Sequence, residues 1–117
     1  MHKKDAEWNR MFGQRLRYLR KKAGLTQVQL ALALGYTTKG AKGVISAVER
    51  GERNMDRGKL KPVSELLDIP VDVLLEKNQI PNEMLDIISD FVKLTKKKPR
   101  SQNWPAIVAL IKTSLSE

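Results

Sequence analysis

Residues 24–51 read Gly-Leu-Thr-Gln-Val-Gln-Leu-Ala-Leu-Ala-Leu-Gly, then Tyr-Thr-Thr-Lys-Gly-Ala-Lys-Gly, then Val-Ile-Ser-Ala-Val-Glu-Arg-Gly. Thr26 stands where a helix N-cap belongs, its hydroxyl placed to accept from the free N–H groups of the following turn. A helix over residues 27–34 is predicted from it, with Leu30, Ala31 and Leu34 as the buried stripe and Gly35 as the stop. A second short helix takes Val44, Ile45 and Val48 for the core, turns Glu49 back across the unit and ends at Gly51. Two short helices joined by a polar turn point to a DNA reader.

Upstream, Trp8, Met11, Phe12, Leu16, Leu19 and Ala23 fall at the i, i+3/i+4 spacing of one helical face, with Arg10, Arg15, Arg17, Arg20, Lys21 and Lys22 on the others. A first helix is therefore predicted from Ala6. Its basic last turn suits the negative end of the helix dipole, and Gly24 supplies the left-handed residue that ends it. Residues 1–5 lack apolar periodicity and are expected to fray or form a loose basic arm, with His2, the sole histidine, in that tail.

Charge is segregated along the chain. Of 117 residues, 22 are Lys or Arg and 13 Asp or Glu, for a net charge of +9 and a pI near 10.0. Residues 1–62 alone carry +10, residues 63–95 carry −5 and residues 96–117 carry +4. A solvated basic surface is the bland reading; a polyanionic partner is the functional one. The absence of a long apolar run or an apolar leader predicts neither membrane insertion nor secretion, hence a cytoplasmic protein. With no cysteine there is no disulfide, thiolate zinc site or cysteine nucleophile. The length suits one modest core and a small appendage.

Residues Phe12 to Arg20, Gly24-Leu25-Thr26-Gln27 with Leu30-Ala31 and Gly35, Ile45-Ser46, Glu49-Arg50-Gly51 and Leu60 to Leu75 together resemble the helix-turn-helix regulators of the Cro and phage-repressor type, the XRE family. The resemblance covers about residues 11–76 and is specific as a set. It implies an all-α fold: a five-helix, lambda-repressor-like DNA-binding domain whose third helix enters the major groove of double-stranded DNA. It implies base contacts from Lys42, Gly43, Ser46 and Ala47. Glycine and alanine offer a base edge no donor or acceptor, so direct readout leans on Lys42 and Ser46. Gln27 matches a phosphate contact at the start of helix two, and Arg50, Arg53, Asn54 and Arg57 match the segment that follows the backbone. Glu49 matches a position that pairs with an arginine near the end of helix one, here Arg20; two exposed charges are the alternative.

One stretch departs from the family pattern. Ten residues separate Gly35 from Ile45 where about six are usual, an insertion of roughly four. It is either a longer loop carrying Lys39 and Lys42 to phosphate or into the groove, or an extra turn on the front of helix three. Gly35, Gly40 and Gly43 favour the loop. A nucleotide-binding P-loop is excluded, because Ala41-Lys42 stands where Lys-Ser/Thr is required and no apolar strand precedes it.

Pro62 suits a first helical turn, so helix four is expected to begin near Lys59 to Lys61 with Gly58 in the loop and Val63, Leu66 and Leu67 inward. Ile69, Val71, Leu74 and Leu75 supply a last short helix entered at Pro70. The predicted organisation is a DNA-binding domain over 6–76, a linker over 77–82 and a C-terminal helical hairpin over 83–117. Asn82 is placed to cap the first hairpin helix, whose apolar arc of Met84, Leu85, Ile87, Ile88, Phe91, Val92 and Leu94 must bury against something. The second follows Trp104-Pro105. A hairpin of about 35 residues suits pairing with its copy through Ile88, Phe91, Trp104, Ile107 and Ile111; folding back onto the first domain is the alternative.

These readings predict a sequence-specific transcriptional regulator, more readily a repressor than an activator, acting as a homodimer on an inverted repeat. The competing class is an antitoxin or adaptor whose hairpin binds a partner protein. Few exposed aromatics argue against RNA, and no acid/base pair or metal cluster at functional spacing argues against an enzyme, a metal or a cofactor. Without a long sensor domain a small-molecule effector is not expected, whereas a protein or peptide effector is compatible with the chain.

Overall fold

The computed structural model describes residues 3–37, 39–96 and 106, without the side chains of Lys3 and Lys4. Among the described residues the fold is all-helical, with no strand: α1 (Lys3–Lys22), α2 (Gln27–Ala33), α3 (Ala41–Glu49), α4 (Arg57–Leu67), α5 (Val71–Leu74) and α6 (Asn82–Thr95). The chain divides into two compact units, one up to Val63 and one from Ser64, the division falling within α4.

In the first unit α3 packs against both α1 and α2. Phe12, Leu16 and Leu19 of α1 meet a core that includes Leu30, Ala31, Leu34, Ala41, Ile45 and Val48, all buried. The approach of α1 to α3 is set by a missing side chain. A Cβ on Gly13 would lie 2.4 Å from the Val48 carbonyl oxygen and 2.6 Å from that of Glu49, distances no side chain tolerates. Gly51 serves the same contact from the other end, because its φ of 76° and the Arg10 Cα at 2.8 Å from a Cβ built there both exclude L side chains.

α2 opens on a complete capping box. Thr26 Oγ1 accepts from Gln29 N at 3.0 Å, and Gln29 Oε1 accepts from Thr26 N at 2.8 Å, so two donors at the helix start are satisfied reciprocally. Gly24 and Gly35 both have positive φ, as expected of helix stops.

Several expectations are corrected. α1 begins at Lys3, so the first described residues are helical and not frayed; the helix gains an acidic residue, Asp5, in its first turn, which favours the positive end of the dipole. The stretch from Tyr36 to Gly43 is not one loop. Its second half, Ala41-Lys42-Gly43, is the first turn of α3, and Gly40 precedes it in a left-handed conformation (φ 94°) that turns the chain into the helix. The cause is Ala41, which lies four residues before Ile45 on the same face and is fully buried. Val44, by contrast, is only half-buried.

Gly58 lies in α4 rather than in the loop, and Pro62 is inside the helix. Proline cannot donate to the carbonyl four residues back, that of Gly58; Gly58 is exposed, so water can serve there.

In the second unit Leu67, Ile69, Val73, Leu74, Leu85, Ile88 and Val92 are buried, whereas Leu66, expected inside, is exposed. Val73 joins Leu74 on the inward side of α5, whereas Val71 and Leu75 are half-buried. Asn82 is the first residue of α6, and its cap position is Pro81, which offers no side-chain hydrogen bond. Ser89 Oγ donates to the Leu67 carbonyl at 3.4 Å, satisfying a buried hydroxyl. The predicted second hairpin helix, with Trp104, Ile107 and Ile111, lies outside the described residues.

Candidate nucleic-acid interface

The 3.6-residue period of α3 sorts its side chains into two faces. Ala41, Ile45, Val48 and Glu49 point inward. Lys42 and Gly43 are exposed and Ser46 and Ala47 half-buried on the other side, so the four predicted base-facing residues share one stripe. Arg50, one turn beyond Ser46, continues it, and its Nη1 donates to Ser46 Oγ.

Behind this stripe sits a buried polar joint. Arg20 Nε donates to Glu49 Oε2 at 2.6 Å and Nη2 to Oε1 at 3.1 Å, with side-chain exposures of 8% and 3%. Arg20 Nη1 also donates to the Leu25 carbonyl at 2.7 Å, tying the start of the α2 segment to the same guanidinium. Gln27 Nε2 donates to Glu49 Oε1 at 3.1 Å. One carboxylate on α3 therefore orients residues from α1 and α2 together. Such a joint fixes the angle between helices more surely than it adds net stability.

The inserted segment is anchored from α4. Lys59 Nζ donates to the Leu34 carbonyl at 2.6 Å, satisfying an acceptor at the end of α2, and stands 5.0 Å from the centre of the Tyr36 ring. Tyr36 donates its hydroxyl proton to Asp56 Oδ2 at 2.9 Å. Burial, then the hydrogen bond to Asp56, raise the Tyr36 pKa above its ordinary 10.0, keeping the phenol protonated and able to donate. Lys39 is exposed in the turn, and Thr37 Oγ1 donates to its carbonyl at 3.1 Å.

The predicted phosphate contacts occupy unlike settings. Asn54 and Arg57 are exposed, Arg57 as the first residue of α4. Arg53 lies 3.8 Å from Asp56. Gln27 is half-buried at the first position of α2, with its amide on Glu49. Arg50 is held by Glu52, Nε donating to Oε1 at 3.1 Å and Nη2 to Oε2 at 2.9 Å. That bond, then the charge opposite, lowers the Glu52 pKa and raises that of Arg50.

Sequence reasoning missed Glu52, Lys59 and the tie from Gln27 to Glu49. The reading of Arg50, Arg53, Asn54 and Arg57 as phosphate contacts leaves out the nearby carboxylates, Glu52 two residues from Arg50 and Asp56 three from Arg53. Of the predicted pairing residues, Ile88 is buried and Phe91 is half-buried.

A short capped helix, a turn and a second helix with a polar outer stripe define a helix-turn-helix protein. Residues 16–74, just over half of the chain, match the helix-turn-helix family model, and the chain belongs to that family, in its Cro and phage-repressor or XRE form. The match runs from α1 through α5. No curated protein and no solved structure shows significant similarity to the chain. The family is one of DNA-binding transcriptional regulators and not of enzymes. None of the described helices is long and apolar enough to cross a membrane.

Proposed function

We propose that the protein is a sequence-specific, cytoplasmic transcriptional repressor that binds an inverted-repeat operator as a homodimer. The observation that carries the reading is the outward stripe of α3, where Lys42 and Ser46 stand one turn apart on the side opposite the buried Ala41, Ile45, Val48 and Glu49. Lys42 offers three donors to guanine O6 and N7, and the Ser46 hydroxyl pairs with either donors or acceptors of a base edge. Ala47 is apolar and small enough to meet a thymine methyl. Lys39, Arg53, Asn54 and Arg57, with Gln27 at the start of α2, fix register on the phosphates without selecting sequence.

Dimerisation is supported by α6. Leu94 near its end is 83% exposed, an apolar side chain uncovered among the described residues, and the predicted second hairpin helix follows it in the chain. A two-fold pair would set two copies of α3 on successive turns of the duplex, with half-sites about 10 base pairs apart or a multiple of that. Repression then follows from occupancy of a promoter, with no further machinery. An antitoxin or adaptor role would use the same exposed leucine on a different protein, and co-purification of a stoichiometric partner distinguishes it from a clean homodimer.

Selection of bound duplexes from a random pool tests the reading: a palindromic consensus is expected, and a pool without symmetry refutes it. Lys42→Ala and Ser46→Ala must each relax that consensus. Arg53→Ala should weaken binding to every duplex alike and reduce the salt slope by about one phosphate's worth.

A further inference from the structure

Arg50 is engaged on two sides. Nε and Nη2 take both oxygens of Glu52, and Nη1 donates to Ser46 Oγ, so the guanidinium bridges a carboxylate and a hydroxyl on the outward stripe of α3. Arg50 and Glu52 side chains are 55% and 60% exposed, so the arrangement lies at the surface a duplex would meet and contributes little to stability. A free guanidinium at that surface would meet phosphate and release a counterion. One already matched by a carboxylate in side-on, two-bond geometry has its charge answered and its plane fixed. Arg53 differs: its distance to Asp56 is 3.8 Å, and the same oxygen of Asp56 already accepts from Tyr36.

We propose that Glu52 is a built-in counterion that withdraws Arg50 from phosphate binding and holds it against Ser46, which makes Arg50 a positioning residue for sequence reading. The proposal rests on the DNA-binding reading above and adds a specificity device to it. Glu52 opposes the phosphodiester of any duplex, lowering affinity for bulk DNA, while the Ser46 hydroxyl is oriented for the one edge it must meet. Losing a phosphate contact weakens every duplex alike, so the gain in specificity comes from the oriented Ser46 hydroxyl, which favours only the duplex that offers that edge.

The test measures equilibrium binding of the full chain to a random-sequence duplex and to a duplex recovered by selection, each at several salt concentrations. Glu52→Gln is expected to bind the random duplex several-fold more tightly, with a salt slope steeper by about 0.9, the value of one added phosphate contact. Its preference for the selected duplex should fall. Arg50→Ala should leave the random-duplex slope unchanged and lower the preference. The slope gained in Glu52→Gln should vanish in Arg50→Ala/Glu52→Gln, which separates release of Arg50 from mere removal of a negative charge. An unchanged slope in Glu52→Gln, a gain that persists in the double variant, or an Arg50→Ala slope flattened by about one, each overturns the counterion role while leaving DNA binding intact. Wild-type protein that binds neither duplex overturns both readings.

Discussion

Replacing Glu49 by alanine should be among the most damaging single changes available in the first unit. Its carboxylate accepts from Arg20 Nε at 2.6 Å, Arg20 Nη2 at 3.1 Å and Gln27 Nε2 at 3.1 Å, and it is 3% exposed. Without it, among the described residues, Arg20 keeps the Leu25 carbonyl alone for a guanidinium that is 8% exposed. Leaving one member of a buried pair uncompensated costs about 3–5 kcal/mol, against a total stability on the order of 5–15 kcal/mol for a domain. Arg20→Ala should cost as much, since it strands the carboxylate and releases Leu25. The apolar double replacement Arg20→Met/Glu49→Leu removes both charges together and should lie within about 1 kcal/mol of the parent. Urea unfolding reports the difference through Trp8, which stacks on Phe12 at 5.3 Å in α1, once Trp104 has been replaced by phenylalanine to leave one tryptophan. The reasoning is refuted by a Glu49→Ala loss below about 1 kcal/mol, or by an Arg20→Ala/Glu49→Ala loss equal to the sum of the two single losses.

Gly13→Ala places a Cβ 2.4 Å from the Val48 carbonyl, and because backbone cannot swing aside α1 and α3 must part; a loss of at least about 1–3 kcal/mol is expected in the same unfolding assay. Lys59→Met keeps the aliphatic stem but removes the bond to the Leu34 carbonyl and the charge over Tyr36, so amide exchange at Gly35 and Tyr36 should accelerate, corresponding to roughly 1–2 kcal/mol; exchange equal to wild type would refute the anchor. Glu52 is held below the ordinary glutamate value of 4.5 by Arg50, so their pairing is fully present above that value and is lost as pH falls through the lowered one. A carboxyl NMR titration should show the Glu52 midpoint rising in Arg50→Ala, and an unmoved midpoint would refute the pairing.

What was legible in the sequence is what the local backbone decides. Thr26 reads as an N-cap because its hydroxyl reaches the free N–H groups of the next turn, and glycines at 24, 35 and 51 mark helix ends because positive φ is nearly free for them. Phe12, Leu16 and Leu19 of α1 and Leu30, Ala31 and Leu34 follow from a 3.6-residue period, whereas Ala23, expected on the same face, is exposed, and Arg15 and Arg20, expected on the others, are buried. The candidate reading stripe of α3 comes from the family resemblance, aligned on Ile45, and the 3.6-residue period places its residues on the outward side.

Tertiary structure decided the remainder, wherever the answer depended on a neighbour distant in sequence. Nothing local makes Ala41 helical after Gly40; its burial beside Ile45 does, and that gave the inserted segment half to the turn and half to α3. Gly13 reads as a weak helix residue until the Val48 carbonyl is seen 2.4 Å from where its Cβ would stand. That the Gln27 amide ties to Glu49, 22 residues away, is visible only in the folded chain. Glu52 is near in sequence, yet charge counting could not say that its carboxylate would face Arg50 side-on while Arg50 reached Ser46. The helices and their inward faces thus belong to the chain's local chemistry. Which cations remain free for a polyanion is a property of the folded surface, because a charge is matched by what lies close in space.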